Sequence, residues 1–177
     1  MNDLGETILR YATMDDVKYI DSLRKKEGDA LGFMPIQSYY DAIGLNENLK
    51  RHRYRYAELL VTIDNNDYTG FCYVSYAGKE CKIFQIVIQE DARRLYRAML
   101  IINHVERQCR IREVGVITCR VAMDLESNFF WRAIGFIPVK EVISTWLNQK
   151  ESKSKRPLWI YRKEVEISQQ KLNLKEK

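Results

Sequence analysis

Long apolar runs are missing from the sequence: nothing approaches the roughly 18 residues that a membrane-spanning helix requires. The opening MNDLGETILR also lacks the basic-then-apolar pattern of an exported leader. We therefore expect a soluble, cytoplasmic protein with no membrane partner. No CxxC spacing is present, and the two histidines, His52 and His104, lie far apart, so no metal site is expected. Cys72, Cys81, Cys109 and Cys119 fall inside expected strands or a helix and read as buried, reduced thiols. Internal repeats and linker-like stretches are missing too. The 177 residues are expected to form one domain over 1–167, followed by a polar tail at 168–177.

A hydrophobic content of 46% is enough for a sizeable core. The formal charge of +5 is a modest excess that points to an anionic partner. It is clustered at Arg51-His52-Arg53-Tyr54-Arg55-Tyr56 and in the loop from Lys150 to Arg156. Basic side chains interleaved with aromatics can neutralise phosphates and stack on bases, but the same pattern also describes a solvated surface.

The most informative stretch runs from Ile83 to Arg110. Ile83, Phe84, Ile86, Val87 and Ile88 read as a strand covered on both faces. A polar turn, Gln89 to Ala92, follows it. Leu95, Met99, Ile102 and Val105 then recur at helical spacing, leaving Arg93, Arg94, Arg97, Glu106 and Arg107 for solvent or a ligand. A helix that opens directly after a buried strand gathers unpaired backbone N–H groups and a positive dipole end at one point. Such a point suits a diphosphate.

The chain otherwise reads as a first strand over Ile8–Ala12 and a helix carrying Val17, Ile20 and Leu23, introduced by a Thr13/Asp16 capping box. A second helix opens at Pro35 and carries Tyr39, Tyr40 and Ile43. Strands over Glu58–Ile63 and Thr69–Tyr76 join through Asp64-Asn65-Asn66-Asp67, a hairpin signal. A β-branched strand over Val114–Val121 should lie parallel to the anchor strand. A short helix with Asn128, Phe129 and Trp131 stops at Gly135, and two strands, Val139–Trp146 and Leu158–Val165, finish the domain. The order is β-α-α-β-β-β-α-β-α-β-β.

Two segments carry a resemblance to a known family. Arg93-Arg94-Leu95-Tyr96-Arg97-Ala98 resembles the Arg/Gln-x-x-Gly-x-Gly/Ala turn of the GCN5-related N-acetyltransferases, with Ile88 as the β-branched lead-in and Tyr96 where the first glycine stands. Asp124 to Phe136 resembles the family's Asn-x-x-Ala-x-x-Phe-Tyr-x-x-x-Gly-Phe segment, with Ser127 at the Ala, Trp131 at the Tyr and Gly135-Phe136 closing it. The resemblance implies an α/β (α+β) fold with a mixed, mostly antiparallel sheet of about seven strands flanked by about four helices. It also implies acetyl-CoA as cofactor and direct transfer of acetyl to an amine acceptor whose type the sequence does not name, in a monomer or homodimer.

By that resemblance, Ile86, Val87 and Ile88 would hold the pantetheine arm. The amides from Arg93 through Arg94, Leu95, Tyr96 and Arg97 to Ala98 would hold the diphosphate, with Asn128 and Trp131 nearby. Phe33, Tyr39, Arg53, Arg120 and Lys153 are the candidates for acceptor binding. The family's base is often a Glu on the anchor strand, where this chain has Lys82 and Gln85; its acid is a Tyr, where this chain has Trp131. Asp29, Asp124 and Ser127 are the substitutes we name, although Asp124 and Ser127 also suit N-caps of the short helix. Arg120 reads equally as an ion-pair partner of Asp124 or as a binding residue. Two alternatives stand beside this reading. One is a nucleobase- or DNA-modifying enzyme of the phage-type branch related to Mom proteins, acting in the host cytoplasm with nucleic acid as partner. The other is an inactive binding module on the same fold.

Overall fold

The computed structural model describes residues 7–28, 30–31, 34–44, 56–94, 96–144 and 156–167. Seven strands form one sheet: β1 (Thr7–Tyr11), β2 (Tyr56–Asp64), β3 (Asp67–Ala77), β4 (Glu80–Ile88), β5 (Val116–Ala122), β6 (Ile137–Ile143) and β7 (Pro157–Glu164). Four helices accompany them: α1 (Val17–Lys26), α2 (Ile36–Gly44), α3 (Arg97–Ile111) and α4 (Ser127–Ala133). Strand order is β1-β2-β3-β4-β5-β7-β6, and only β4 and β5 run parallel. The expected element order and sheet type are those observed.

Period-2 alternation divides the core between the two faces of the sheet. Leu60, Cys72, Val74, Cys81, Ile83, Ile117, Cys119 and Val121 turn toward α3 and α4, where Ile101, Ile102, Val105 and Trp131 meet them. Leu59, Val61, Phe71, Tyr73 and Val87 turn toward α1 and α2, against Ile20, Leu23 and Tyr39. All four cysteines are free and buried. The hairpin after β2 turns through Asn65 and Asn66 at φ 48° and 71°, the left-handed pair that two-residue hairpins favour.

Buried carboxylates brace this first arm. The Thr13 N–H donates to Asp16 Oδ2 at 2.6 Å, closing the expected capping contact, and Arg10 Nη1 donates to the same oxygen at 2.7 Å. Tyr68 donates to Asp16 Oδ1. Burial pushes the Asp16 carboxyl up, but these hydrogen bonds outweigh it and hold the group far below the usual range. Glu58 on β2 takes hydrogen bonds from Tyr76 at 3.0 Å and Arg112 at 3.4 Å, and lies 3.3 Å from His104 Nε2. Burial again raises its pKa, and the hydrogen bonds from His104 and Tyr76 pull it below the ordinary value.

Several boundaries depart from the sequence reading. Helix α3 begins at Arg97 rather than near Arg93, because a 3₁₀ turn over Glu90–Ala92 and two left-handed residues intervene. Glu126 is the N-cap residue of α4, with no side-chain cap bond, so neither Asp124 nor Ser127 caps it. Gly135, at φ 87°, ends the helix, Phe136 is already in the core, and the sixth strand runs over Ile137–Ile143.

Candidate active site

The site is made by strands that part. β4 and β5 pair from Glu80↔Val116 to Ile83↔Cys119 and no further, although β4 continues to Ile88 and β5 to Ala122. The divergence has a cause in β4. Tyr73 pairs with Gln85 and Val74 with Ile83, so Phe84 is an extra residue, a β-bulge. Bulges bend the strand that carries them and increase its twist. The bulge also changes phase: Cys81 and Ile83 face α3 before it, and Ile86 and Ile88 face α3 after it. Beyond the fork β4 stays bonded to β3 as far as Gly70↔Ile88, while its other edge at Ile86–Ile88 has no strand opposite among the described residues.

Close approach of β3 fixes that edge. A Cβ on Gly70 would stand 2.7 Å from Ile88 Cδ1 and collide with the Val87 carbonyl. The strand then passes through the Glu90–Ala92 turn into α3. Arg94 and Tyr96 take φ 65° and 63°, a conformation that a β-carbon disfavours by about 1 kcal/mol or more. Tyr96 thus holds a left-handed backbone, the conformation that glycine adopts at least cost. Tyr96 is 83% exposed, so its side chain is not packed into the turn. The first α3 hydrogen bond within the described residues runs from Leu100 N–H to the Tyr96 carbonyl at 3.0 Å. The amides of Ala98 and Met99 precede it, at the positive end of the helix.

The three arginines of this turn do different work. Arg97 is not left for solvent: its Nε donates to Asp64 Oδ2 at 2.6 Å, tying the first turn of α3 to the β2–β3 hairpin. Arg93 folds back, donating from Nε to the Ile88 carbonyl at 3.0 Å and pairing with Glu27 at 2.9 Å. Arg94 is exposed and makes no hydrogen bond or ion pair among the described residues. Leu95 lies outside the described residues, as do Asp29, Phe33, Arg53 and Lys153.

The remaining candidates are spread more widely. Tyr39, on the inner face of α2, is fully buried and donates to Gln85 on β4, with burial pushing its phenol up. Asp124 is exposed and held by Arg156 at 2.9 and 2.8 Å, which keeps its carboxyl below the ordinary range and makes it a weaker base. The expected alternative of an Arg120–Asp124 ion pair is therefore not the one the chain adopts. Ser127 is exposed at the start of α4. Asn128 spends its amide on the protein: Nδ2 donates to the Ala122 and Leu125 carbonyls at 2.8 and 2.6 Å, and Oδ1 accepts from Tyr161 at 2.9 Å. Trp131 is 4% exposed, edge-on to Phe136. His104 stands edge-on to Tyr11 and lies 3.3 Å from Glu58 Oε2. Register sets Glu58 opposite Val74 and Val74 opposite Ile83, so the pair lies on the α3 face of the sheet, level with the last β4–β5 bridge and two strands away from it.

A seven-stranded sheet whose two parallel strands splay beside a bulge, and which leads into a left-handed turn and helix, is a specific arrangement. No family model and no curated protein sequence matches the chain, but solved structures do. NAA60 of Arabidopsis thaliana, solved with a bisubstrate analogue, superposes with a TM-score of 0.73 at 11% identity, over 92% of this chain and 100% of that one. The chain has the fold of the GCN5-related N-acetyltransferases. Other structures with this acetyltransferase fold agree. The ribosomal-protein-alanine N-acetyltransferase of Brucella melitensis gives a TM-score of 0.67 at 13% identity, covering 89% of this chain and 99% of that one. The spermidine N-acetyltransferase of Vibrio cholerae, solved with CoA and spermine, gives 0.67 at 12%, covering 89% and 95%.

Proposed function

We propose that this protein is an acetyl-CoA-dependent N-acetyltransferase that transfers acetyl to an amine acceptor by direct attack. The observation that carries the reading is the fork: the β4 edge parted from β5 beyond Ile83 and Cys119, continuous with the left-handed turn at Arg94 and Tyr96. When bound, acetyl-CoA supplies an activated thioester and a thiolate leaving group. The free backbone edge at Ile86, Val87 and Ile88 is suited to hydrogen-bond the amides of a pantetheine arm. The amides at the start of α3, from Tyr96 to Ala98, together with Arg94, are suited to a diphosphate. Arg93 and Arg97 act one step back, holding the turn through Ile88, Glu27 and Asp64.

The acceptor amine enters from the α1–α2 side, where Lys82 and Gln85 occupy the β4 positions. Neither is a carboxylate, so the rate rests mainly on orientation and on backbone N–H groups that stabilise the developing oxyanion. Asp29, in the α1–α2 connection, is the carboxylate we nominate to accept the ammonium proton; Asp124 is tied down by Arg156. Asn128 and Trp131 support the site from beneath as packing and hydrogen-bonding residues. The spermidine N-acetyltransferase of similar fold binds CoA and spermine, which supports the cofactor assignment but does not fix the acceptor here.

Titration calorimetry with acetyl-CoA, followed by thiol release across a panel of amines, tests the reading. Saturable binding and acceptor-dependent thiol release are expected. Absence of binding up to millimolar concentration overturns the enzyme reading, and binding without release across the panel leaves an inactive module.

A further inference from the structure

The two arms of the fork differ in what covers them. Helices α1 and α2 lie over β2–β4, whereas the same face of β5, β7 and β6 is covered by no described element. Strand register fixes what that face presents, because directly paired residues project to the same side. Lys82 pairs with Thr118 and Thr118 with Arg162; one step toward the fork, Arg120 pairs with Ile160 and Ile160 with Lys140. Arg120, Lys140 and Arg162 therefore share one uncovered surface, with Lys82 at its β4 border; Arg162 is paired with Glu164 at 3.2 Å, which leaves Arg120 and Lys140 as its unpaired cations among the described residues. Leu158 and Ile160, both half-buried, form its apolar floor. The acidic groups of this face lie at its far end, where Glu80 and Glu164 flank Val116.

The position of Arg120 is decisive. It is the first β5 residue beyond the last β4–β5 pair, at the crotch of the fork. A cofactor anchored at the start of α3 and running back along β4 from Ile88 brings its acyl end to this same crotch. Arg120 is exposed and, among the described residues, makes no hydrogen bond or ion pair; Lys140 is in the same state. Their Cα atoms are two strand spacings apart, roughly 10 Å, a gap that two long side chains close around one anion. Lys82 leans over the Phe84 ring at 4.9 Å, on the same side.

We infer that the acceptor is an amine whose body carries an acidic group, and that Arg120 is the residue that selects it, with Lys140 on the far side. A guanidinium presents a planar fork of donors that matches a carboxylate or a phosphate. A cationic polyamine would be repelled from the same surface. This inference rests on the transferase reading above and specifies its acceptor class.

Initial rates at saturating acetyl-CoA test it, with alanyl-glutamate, phosphoethanolamine, the neutral alanyl-glutaminamide and spermidine as acceptors. The acidic amines are expected to show KM roughly tenfold or more below the neutral one, with spermidine the poorest; the better of the two acidic amines tells carboxylate from phosphate. Arg120→Glu should raise KM for the acidic amine about tenfold or more, Arg120→Lys should recover most of that, and calorimetric affinity for acetyl-CoA should stay within about twofold. Binding of the N-acetylated acidic product, read by calorimetry without turnover, should weaken in parallel. Acetyl-CoA consumption that ignores acceptor charge, prefers spermidine, or survives Arg120→Glu unchanged overturns the inference and leaves the transferase reading standing. Failure to bind acetyl-CoA overturns both.

Discussion

The β1–β4 arm buries charges that the protein itself pairs, whereas the β5–β7–β6 arm, beside its ion pairs at Arg162 and Lys163, leaves cations unpaired in solvent. In the first, Asp16 and Glu58 are 1% exposed and each is held by several donors. In the second, and at the turn between β4 and α3, Arg120, Lys140 and Arg94 stand in solvent with no partner among the described residues. A buried charge is retained only if its neighbours replace the water it lost, so the first arm's charges are committed to the fold. Charges that nothing in the protein neutralises are available to a ligand. The contrast separates residues whose loss unfolds the chain from those whose loss changes what it binds.

The sharpest way to break that contrast is Asp16→Ala. Removing the carboxylate strands Arg10 and the Thr13 amide, and the expected loss is about 3–5 kcal/mol by urea unfolding at neutral pH. A loss below about 1 kcal/mol would mean the first arm's charges are as dispensable as surface pairs. The pH dependence follows from the sign of the shift. The folded-state pKa of Asp16 lies below its unfolded value, so its contribution is full above roughly pH 4 and is lost as pH falls below it. Unfolding midpoints measured from pH 6 down to 2 should fall, and Asp16→Asn should flatten that slope.

Gly70→Ala comes next. The added methyl collides with Val87 and Ile88, and a cost of about 1–3 kcal/mol is expected, together with weaker acetyl-CoA binding because the free β4 edge is displaced. Arg94→Glu is smaller and of the other kind. Acetyl-CoA affinity should fall about tenfold while stability changes by no more than about 0.5 kcal/mol. Arg97→Ala should instead lower both, since its partner is Asp64. Tyr96→Gly is the smallest. It relieves a left-handed conformation but enlarges the freedom of the unfolded chain, so stability should shift by less than about 1 kcal/mol and acetyl-CoA binding should be retained. A large loss of binding would show that the exposed ring has a role of its own.

Much of the fold was legible because it is written in local patterns. The Asp64–Asp67 hairpin, the helical spacing of Ile102 and Val105 and the Gly135 stop each have a short-range signature. The fork was legible only in part. The resemblance points to the strand edge at Ile86–Ile88, but the bulge at Phe84 has no signature of its own in a nearly continuous apolar run interrupted only by Gln85. Placement of β7 between β5 and β6, and so the row Lys82, Thr118, Arg162, depends on long-range pairing that single-sequence periodicity does not encode. Asn128 illustrates the converse. Its place in a motif marks it as a cofactor residue, but sequence does not reveal that its side-chain amide also bonds Ala122, Met123, Leu125 and Tyr161, stapling β5, α4 and β7 together. Helical spacing leaves Arg97 for solvent or a ligand, because spacing alone does not reveal a partner, Asp64, on a distant hairpin.

Amide hydrogen exchange with and without acetyl-CoA tests the central claim most directly, since it reads the backbone groups themselves. Protection is expected to rise at Ile86–Ile88 and at Tyr96–Met99, with little change in β1, β2 or the Glu58 cluster. Uniform protection across the domain, or none at the fork, would contradict the assignment of the parted strands and the α3 entrance as the acetyl-CoA site.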